Sequence, residues 1–406
     1  MRILLVHQNF PGQFAPLVAE WATRSGWDVR GLGQIHAPGL SAFSGLMRYR
    51  PARAIRRDQH PYLRNTETAV LNGQAAARIF LQLKDKGFKP DVIVAHPGWG
   101  ETLYAKDVFP EAQLIHLCEW YYNAQGADLG FDQEFPLTFN DRARIRTWNA
   151  HHALSLVDCD TAVSPTLWQK SRYPKDLRQK ILVQHEGIDT NLYRPDPMAW
   201  VKTKNGTMLK SGDPVITYVA RNLEPYRGFH VFMRALETIQ RLHRTCHTLI
   251  VGGDEVSYGR KPENAKNWRE RMLNEVTLDP SRTHFVGRLP KALYRRVLQV
   301  SGAHVYLTYP FVLSWSLLEA MSCNAPIVAS DTAPVREVIK NGVNGRLVDF
   351  FDTEVLATTV VETLVESRAR RLQSDSINRF SYEDGIAGYE KILKIPSQVN
   401  SGDRSP

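Results

Sequence analysis

The chain has 406 residues, of which 43% are hydrophobic and 23% are charged, and its formal net charge is +9 at pH 7. This composition is typical of a globular protein in water, and the lack of any run of eighteen apolar residues predicts that no helix spans a membrane. The length predicts two domains, and the positive charge favours anionic partners.

The cysteines and the first residues predict a cytoplasmic protein. The four cysteines are scattered without metal-ligand spacing, which is typical of reduced thiols. The apolar run Ile3–Val6 is too short for a signal peptide. Five arginines occur between Arg48 and Arg57, either as a solvated basic surface or as a contact for peripheral association with the inner face of an anionic membrane. Nucleic acid is the least favoured partner because acidic residues are mixed along the chain.

Strand–turn–helix units follow one another through the amino half. RILLV at residues 2–6 is a buried strand, and the turn after it contains Gly12 before a helix begins near Phe14. Two further apolar runs end in the loops HPGWGE and CEWYY, which place His96 and Glu119 at strand tips. The carboxyl ends of parallel strands are where open α/β sheets bind ligands. Asp128, Asp132 and Glu134 follow in a loop that we expect to be solvated, with acceptor recognition as the alternative.

The pattern changes in the middle of the chain and then starts again. A stretch rich in Lys, Gly and Ser reads as a connector at 196–212, and apolar strands recur from Val215 onward. We therefore predict an α/β protein with two doubly wound Rossmann-like domains facing a cleft. The predicted bounds are 1–195 and 213–380, and a carboxyl-terminal helix within 381–400 returns to the first domain.

Two stretches of the carboxyl half suit an anionic ligand. Arg221 stands just past a strand and Arg227 precedes a helix, so two guanidiniums and a helix amino end would hold a diphosphate. Two surface arginines are the alternative. Between Val305 and Glu337, a strand, a polar loop and a helix start present backbone N–H groups, with Glu319 in the first turn where a carboxylate can reach a sugar hydroxyl.

Several motifs occur in an order that resembles a known family. They are GIDTNLYRP (187–195), ARNLEPYRG (220–228), HFVGRL (284–289), LLEAMSCNAPIVAS (317–330) and GVNGRLV (342–348). They resemble the retaining glycosyltransferases of the two-Rossmann GT-B architecture, family-4 group, over nearly the whole chain. The resemblance implies a metal-independent transfer of sugar from a nucleotide diphosphate sugar, with retention, to an acceptor in polysaccharide, glycolipid or other glycoconjugate biosynthesis. It implies an amino-terminal acceptor domain, a carboxyl-terminal donor domain and no cofactor.

The resemblance also implies roles for individual residues. Arg221 and Arg227 would stabilise the leaving diphosphate, and Glu319 would bind the ribose hydroxyls. Backbone groups of Ser314, Trp315 and Ser316 would touch the phosphates or the sugar. The other implied donor-binding residues are Gly12 and Gln13, facing the diphosphate from the first domain, Gly287, Arg288 and Leu289, lining the base pocket, and Glu337, supporting the arginine site.

The chain departs from the family pattern at several positions, among them three that bear on the site. Arg227 replaces the usual Lys, and Phe311 stands where the first of two family glutamates contacts the donor hexose. Glu119 stands where many relatives have His, with His116 as the alternative, although strand alternation places His116 inside the strand. We expect Glu119 to orient the acceptor or the donor sugar, and an ion pair with a helix arginine is its structural alternative. His96, at a neighbouring strand tip, is a second catalytic candidate, and a purely structural role is its alternative.

Two other functions remain open from the sequence. A nucleotide-sugar epimerase can use a similar scaffold, and a catalytically silent subunit that binds nucleotide sugar would fit Phe311. The donor nucleobase and sugar, the acceptor and the linkage are not fixed by any motif.

Overall fold

The computed structural model describes residues 1–366 and 375–393, and the chain divides into two compact units. The first unit contains Met1–Ala124, Leu137–Gly187 and Glu383–Pro406, and the second contains Gln125–Pro136 and Ile188–Tyr382. The segment Gln125–Pro136 therefore groups with the second unit, although the sequence placed it within the first domain. We call this segment the strap.

The first unit is built on a parallel sheet of seven strands in the order β3-β2-β1-β4-β5-β6-β7. Alternate residues of the first strand point to opposite faces, where Leu4 and Ile3 join different apolar clusters. Burial on both faces explains why these strands read as continuous apolar runs. The strands are β1 (Arg2–Val6), β2 (Asp28–Gln34), β3 (Leu46–Tyr49), β4 (Val92–Ala95), β5 (Gln113–Leu117), β6 (Thr161–Ser164) and β7 (Ile181–Val183).

Helices connect the strands of the first unit. The longest covers one face with Ala76, Phe80 and Leu83, which recur at helical spacing and are buried. The helices are α1 (Ala15–Trp21), α2 (Arg64–Asp85), α3 (Ala105–Val108), α4 (Phe139–Trp148), α5 (Ala150–Asp158), α6 (Leu167–Ser171) and α7 (Lys175–Arg178).

The second unit opens with an antiparallel hairpin, β8 (Trp200–Lys202) with β9 (Met208–Lys210), inside the stretch that the sequence predicted as a connector. Its main sheet is parallel, with six strands in the order β12-β11-β10-β13-β14-β15. These strands are β10 (Val215–Asn222), β11 (His247–Gly253), β12 (Thr283–Gly287), β13 (Ala303–Tyr306), β14 (Ile327–Ser330) and β15 (Arg346–Val348).

The helices of the second unit cover both faces of its sheet. Adjacent residues of β13, Val305 and Tyr306, join apolar clusters on opposite faces. The helices are α8 (Phe229–Leu242), α9 (Trp268–Glu275), α10 (Lys291–Gln299), α11 (Trp315–Ser322), α12 (Ala333–Arg336) and α13 (Thr353–Glu366). Among the described residues, no helix combines the length and apolarity that crossing a membrane requires.

The strap packs against the second unit. Phe131 lies 5.3 Å from the Tyr309 ring and 5.2 Å from the Phe350 ring, between centroids. Asp132 accepts hydrogen bonds from the Tyr309 hydroxyl at 2.6 Å and from His230 Nε2 at 2.9 Å. The expectation of a solvated loop is therefore wrong for Asp128, which is 2% exposed and accepts from the Tyr226 hydroxyl at 2.9 Å, and for Asp132, which is also 2% exposed. The charge of Asp132 is stabilised by donors that lie about a hundred residues or more away along the chain.

The carboxyl-terminal helix α14 (Tyr382–Glu390) packs on the first unit, as the sequence predicted for the return helix. Tyr389 is fully buried there, and Trp21 Nε1 donates to Glu390 Oε1 at 3.0 Å. The part of the predicted helix beyond residue 393 lies outside the described residues.

Each sheet has one point at which its strand order reverses. The first unit reverses between β1 and β4, and the second between β10 and β13. Crevices at the carboxyl ends of such strands are the usual ligand sites of open α/β sheets. The candidate residues lie at these two edges.

Candidate functional site

Arg227 lies at the reversal point of the second unit. It ends the 3₁₀ turn Pro225–Arg227 that follows β10, and it is only 9% exposed. Its Nη1 donates to the Tyr306 hydroxyl at 3.2 Å, to Thr308 Oγ1 at 2.8 Å and to the Val312 carbonyl at 3.1 Å. These acceptors belong to β13 and the loop after it, so the guanidinium joins the two strands at which the order reverses.

No carboxylate compensates the charge of Arg227 within residues 1–366 and 375–393. Its hydrogen-bond acceptors are neutral oxygens, and its other neighbours include the rings of Tyr258 and Phe311, which lie 5.8 and 6.0 Å from Cζ. A buried charge is costly unless it is paired. The arrangement therefore suits an anionic ligand.

The next residue after Arg227 explains how the turn meets the sheet. Gly228 has φ +66°, and a Cβ at this position would lie 2.4 Å from the Leu307 Cβ. Only glycine allows this left-handed backbone to approach Leu307, the first residue after β13, so closely. The turn and the start of α8 thereby lie against the loop that supplies the acceptors of Arg227.

Arg221 lies inside β10, not just past it as the sequence suggested, because the strand continues to Asn222. Its side chain is exposed, and it forms no hydrogen bond or ion pair with any residue that the structure describes. It remains available as a second cation at this strand end.

Glu224 is a site residue that the sequence reasoning missed. It is 1% exposed, and its carboxylate accepts from the backbone N–H groups of Ser257, Tyr258 and Gly259 at 3.0, 3.1 and 2.9 Å. These bonds fix the loop after β11 next to Arg227. An acidic residue inside an otherwise cationic motif was the only signal in the sequence.

The start of α11 differs from the predicted anion site. Ser314 is its N-cap, and the Ser314 N–H donates to the Tyr306 hydroxyl at 2.9 Å. The Ser316 N–H donates to Ser314 Oγ at 3.3 Å. Two of the three predicted backbone donors are thus engaged within the protein, and the Trp315 side chain is 39% exposed.

Glu319 lies in the second turn of α11, not the first, because the helix begins at Trp315. Its Oε2 accepts from the Tyr294 hydroxyl at 2.6 Å. Burial raises the pKa of Glu319, while hydrogen bonds from Tyr294 and Tyr193 oppose that rise. A carboxylate has about four acceptor positions, so this one can still accept from a ligand.

The predicted base pocket lies at the end of β12. Gly287 closes the strand with φ +69°, and Leu289 packs against an apolar cluster of the unit. Arg288 donates to Asn222 Oδ1 at 2.8 Å and to Glu255 Oε2 at 2.7 Å. Arg288 thus ties β10 to the loop after β11.

The sequence predicts that Glu337 supports the arginine site. It is the C-cap residue of α12, and its backbone carbonyl accepts from Arg379 Nη2 at 3.0 Å. Its support of the arginine site stays a prediction.

The first unit holds Glu119 in a network at its own reversal point. Glu119 Oε1 accepts from Gln13 Nε2 at 3.1 Å, and Oε2 accepts from His96 Nε2 at 3.1 Å. His7 Nε2 lies 2.7 Å from Gln13 Oε1. The residues follow β1, β4 and β5, so neighbouring strand ends bring them together.

Two backbone N–H groups set the direction of this network. Asn9 N–H donates to His7 Nδ1 at 2.9 Å, and Gly98 N–H donates to His96 Nδ1 at 3.0 Å. Each imidazole therefore carries its proton on Nε2, from which His7 donates to Gln13 and His96 donates to Glu119. Glu119 therefore accepts directly from Gln13 and His96, and His7 holds Gln13 in the orientation that allows this.

The network keeps Glu119 ionised. Burial alone would raise the pKa of Glu119, but the hydrogen bonds that it accepts from His96 and Gln13 bring that pKa below its usual range. Burial also lowers the pKa of His7 to about 3, so His7 is neutral. The Glu119 side chain is 32% exposed, whereas that of His96 is 6% exposed.

His7 is the second site residue that the sequence reasoning missed, and the prediction for Gly12 changes because of it. A Cβ at Gly12 would lie 2.4 Å from the His7 ring, and Gly12 has φ +52°. Gly12 thus makes room for His7 within its own unit. The signal available in the sequence was position alone, since His7 is the first residue after β1.

His116 is the alternative that the structure sets aside. It lies within β5 and is fully buried, and its Nε2 is 2.9 Å from Thr102 Oγ1. His116 is the next-to-last residue of β5, but its side chain is enclosed by the protein and bonded to Thr102, so it is not accessible to a ligand.

Within the part of the chain that the structure describes, one group of side chains has metal-ligand types close together: Asp132, Glu134 and His230. Both Glu134 oxygens accept from the Arg234 guanidinium, and Asp132 accepts from His230. An arginine in contact with one of the carboxylates competes with a cation. These contacts serve to fix the strap.

Comparisons with known proteins agree with this fold. Residues 26–193 match the family model described as glycosyl transferase family 4 group, and residues 213–366 match glycosyl transferases group 1. Anabaena HepE in complex with UDP-glucose has a TM-score of 0.65 at 15% identity, over 97% of this chain and 99% of that one. Sucrose-phosphate synthase from Thermosynechococcus elongatus has a TM-score of 0.68 at 16% identity, over 97% and 98%. At these identities the likeness shows the fold.

Curated relatives match part of the chain. A D-inositol 3-phosphate glycosyltransferase of Nocardia farcinica is 28% identical over 181 residues, which are 43% of this chain and 38% of the relative. A GDP-mannose-dependent alpha-(1-6)-phosphatidylinositol monomannoside mannosyltransferase of Mycolicibacterium smegmatis is 24% identical over 231 residues, 52% and 54%. The chain spans about half or less of the length of these relatives. Together with the two family models and the fold, these matches show that the chain belongs to the group 1 and family 4 glycosyltransferases of GT-B type.

Proposed function

We propose that this protein transfers a sugar from a nucleotide diphosphate sugar to a hydroxyl of an acceptor, with retention at the anomeric carbon and without a bound metal. One observation carries the proposal: Arg227 is 9% exposed, and no carboxylate within the described residues pairs with it. A diphosphate supplies the missing negative charge, and arginine binds phosphate oxygens in bidentate fashion.

The second unit supplies the donor site in this proposal. Arg227 holds the diphosphate at the reversal point, and the exposed Arg221 on β10 adds a second positive charge. Glu319 accepts from the ribose hydroxyls beside its bond to Tyr294. Positive charge fixed at the departing phosphate lowers the barrier to cleavage of the glycosidic bond.

The reaction proceeds by attack on the same face as the leaving group. The acceptor oxygen forms its bond to the anomeric carbon as the bond to the phosphate oxygen breaks, and the hydroxyl proton passes to that phosphate oxygen. This route needs no nucleophilic side chain and no general base. It accords with the neutral oxygens and aromatic rings around Arg227, which do not offer carboxylate ligands for a metal.

The first unit supplies a hydroxyl-binding carboxylate. Glu119 is ionised and partly exposed, and its buried side is occupied by donors from Gln13 and His96. Its exposed side can accept from sugar or cyclitol hydroxyls, which suits the inositol-derived acceptors named for the relatives. His96 acts through Glu119 and is a positioning residue. A carboxylate with a lowered pKa is a weak base, so Glu119 orients hydroxyls without taking their protons.

The arginine-rich segment is a proposed contact for an anionic membrane surface. Two of its arginines serve the fold, because Arg48 donates to the Ala37 carbonyl at 3.2 Å and Arg53 pairs with Glu67 at 2.6 Å. Arg50, Arg56 and Arg57 are exposed. Cosedimentation with vesicles should rise with the fraction of anionic lipid, and the triple substitution of these residues to Gln should abolish that rise. Equal sedimentation of both proteins would reject the contact.

A thermal-shift panel tests the donor site. UDP, GDP and ADP, and their common sugars, are each added to the purified protein, and one nucleotide series should raise the melting temperature. A bound ligand at one hundred times its Kd adds about 2.7 kcal/mol to the stability of the native state. The same series should give slow release of free sugar. A panel in which no nucleoside diphosphate shifts the transition would reject the proposal.

A further inference from the structure

Three aromatic side chains lie beside Arg227, and we call them the aromatic wall: Tyr226, Tyr258 and Phe311. The Tyr258 and Phe311 centroids are 5.0 Å apart, and Tyr226 lies 5.6 Å from Phe311 and 5.8 Å from Tyr258. The Arg227 Cζ is 5.8 Å from the Tyr258 ring and 6.0 Å from the Phe311 ring. A group attached to a phosphate on Arg227 therefore meets aromatic carbon next.

The members of the wall have different exposure. Tyr258 is 40% exposed, whereas Phe311 is 6% exposed. Tyr258 thus supplies the surface that a ligand touches, and Phe311 supports it from behind, edge to face. The surface is apolar over the ring and polar only at the phenol oxygen.

Glu224 fixes the wall before any ligand arrives. Its carboxylate accepts from the N–H groups of three successive residues, Ser257, Tyr258 and Gly259. Asn222 Nδ2 adds a bond to Ser257 Oγ at 2.7 Å. A loop held by four hydrogen bonds presents Tyr258 without a large ordering cost at the moment of binding. Glu224 is thus a positioning residue for Tyr258.

The chemistry of the wall discriminates between sugars. Aromatic carbon accepts no strong hydrogen bond, so a sugar hydroxyl pressed against it loses water without a replacement. A methyl group at the same place gains apolar contact. The carboxylates that contact the wall, Asp128 and Glu224, are 2% and 1% exposed and accept from the Tyr226 hydroxyl and the Tyr258 N–H. The exposed Tyr258 ring therefore favours a sugar that presents carbon and hydrogen on this side.

We propose that the aromatic wall is the donor-sugar subsite and that it selects a nucleotide sugar that presents a methyl group over its parent hexose. The methyl is that of a 6-deoxyhexose or that of the acetamido group of an N-acetylhexosamine. The proposal rests on the proposed function, because the sugar reaches the wall only when Arg227 holds its diphosphate.

Matched donors on one nucleotide test the selection. Calorimetry measures Kd for UDP, UDP-glucose, UDP-6-deoxyglucose and UDP-N-acetylglucosamine, or for GDP, GDP-mannose and GDP-rhamnose, according to which nucleotide binds. One methyl-bearing donor should bind roughly 10- to 100-fold tighter than the parent hexose, the range over which an apolar pocket discriminates. In the UDP series, the methyl-bearing donor with the lower Kd identifies which methyl group the wall selects. The GDP series tests the methyl of the 6-deoxyhexose.

Variants of the wall make the test specific. Tyr258→Ala should remove most of the preference, whereas Tyr258→Phe should keep it because the ring remains. Phe351→Ala is the matched control, since Phe351 is 46% exposed in the same unit and packs on Phe350 and Phe131. It should keep the full preference.

Three results would overturn the subsite: a wild-type protein that binds the parent hexose as tightly or more tightly, a Tyr258→Ala variant with unchanged preference, and a Tyr258→Ala variant that loses affinity for free nucleotide as much as for the donor. Failure of every nucleoside diphosphate to bind the wild type is a different result, because it rejects the proposed function itself.

Discussion

The carboxyl edges of the two sheets hold side chains of opposite charge, and the two charges differ in how the surrounding protein stabilises them. Glu119 in the first unit receives two side-chain donors whose direction is fixed by the backbone at Asn9 and Gly98. Arg227 in the second unit is more deeply buried, yet its described hydrogen bonds go to neutral oxygens. One charge is stabilised by side chains of its own unit, and the other is, in the proposed function, available for an anionic ligand.

This difference predicts which of the two charges contributes mainly to stability and which contributes mainly to function. A charge that the protein has already paired contributes to folding, and its removal leaves unsatisfied donors. A buried charge without a counter-ion is a cost to the fold, retained where binding needs it. Replacing the charged side chain should therefore reduce stability clearly at Glu119 and only slightly at Arg227.

The largest expected effect is the loss of function in Arg227→Met. The variant loses the guanidinium at the departing phosphate, which should cost about 2–4 kcal/mol of transition-state stabilisation, a factor of about 10² to 10³ in turnover. Its unfolding midpoint should stay close to that of the wild type, because relief of an unpaired buried charge offsets the loss of the hydrogen bonds to Tyr306, Thr308 and Val312. Donor turnover and urea unfolding, measured on the same preparation, check both parts.

Arg296→Met is the control for that comparison. Arg296 is a partly exposed arginine of the same unit whose guanidinium lies 5.2 Å from the Trp200 ring centroid. It should leave turnover unchanged. A clear drop in the stability of Arg227→Met with intact turnover would reverse the assignment and make Arg227 a structural residue.

The second effect is a loss of stability in Glu119→Gln. A glutamine presents one acceptor and one NH₂ group, so either Gln13 or His96 would face another donor. The two imidazoles cannot reverse, because backbone N–H groups hold both Nδ1 atoms. Unfolding should become easier by about 1–3 kcal/mol, the cost of an unsatisfied donor. Urea unfolding of Glu119→Gln beside the exposed Glu111→Gln measures it, and equal midpoints would show that the network adds nothing to the fold.

Much of both sheets and their strand ends can be predicted from the sequence, because each strand leaves a local pattern of apolar residues. Buried parallel strands appear as apolar runs, and the residues at their ends, such as His96, Glu119 and Arg227, can be read directly. The roles of His7 and Glu224 could not be predicted from the sequence, because they depend on hydrogen bonds to groups that only the fold brings close. The packing of the strap on the second unit could not be predicted for the same reason. Asp132 is typical of a solvated loop in the sequence, and its partners His230 and Tyr309 lie far along the chain.

Glu224→Gln tests whether the hydrogen bonds of Glu224 hold the loop after β11 in place beside Arg227. The amide oxygen can replace Oε2, which accepts from Tyr258 and Gly259, but the NH₂ group then faces the Ser257 N–H. We expect a loss of about 1 kcal/mol in stability, since one hydrogen bond is removed. Amide hydrogen exchange should rise in the loop after β11 and stay unchanged in β1 to β7. Exchange that does not change in that loop would mean that Glu224 does not position Tyr258.

The smallest expected effect is the pH dependence of the stability that Glu119 contributes to the first unit. The pKa of Glu119 is lowered in the folded protein, so its contribution to stability is present above the unfolded value of about 4.3 and is lost as the pH falls through the folded pKa. The difference in unfolding free energy between wild type and Glu119→Gln should therefore stay constant from about pH 8 to pH 5 and shrink only in more acidic solution. The partly exposed carboxylate makes this change less than about 1 kcal/mol. Urea unfolding at a series of pH values measures it, and a difference that shrinks already near pH 6.5 would assign the titration to a histidine of the network, because that is where an unperturbed imidazole changes charge.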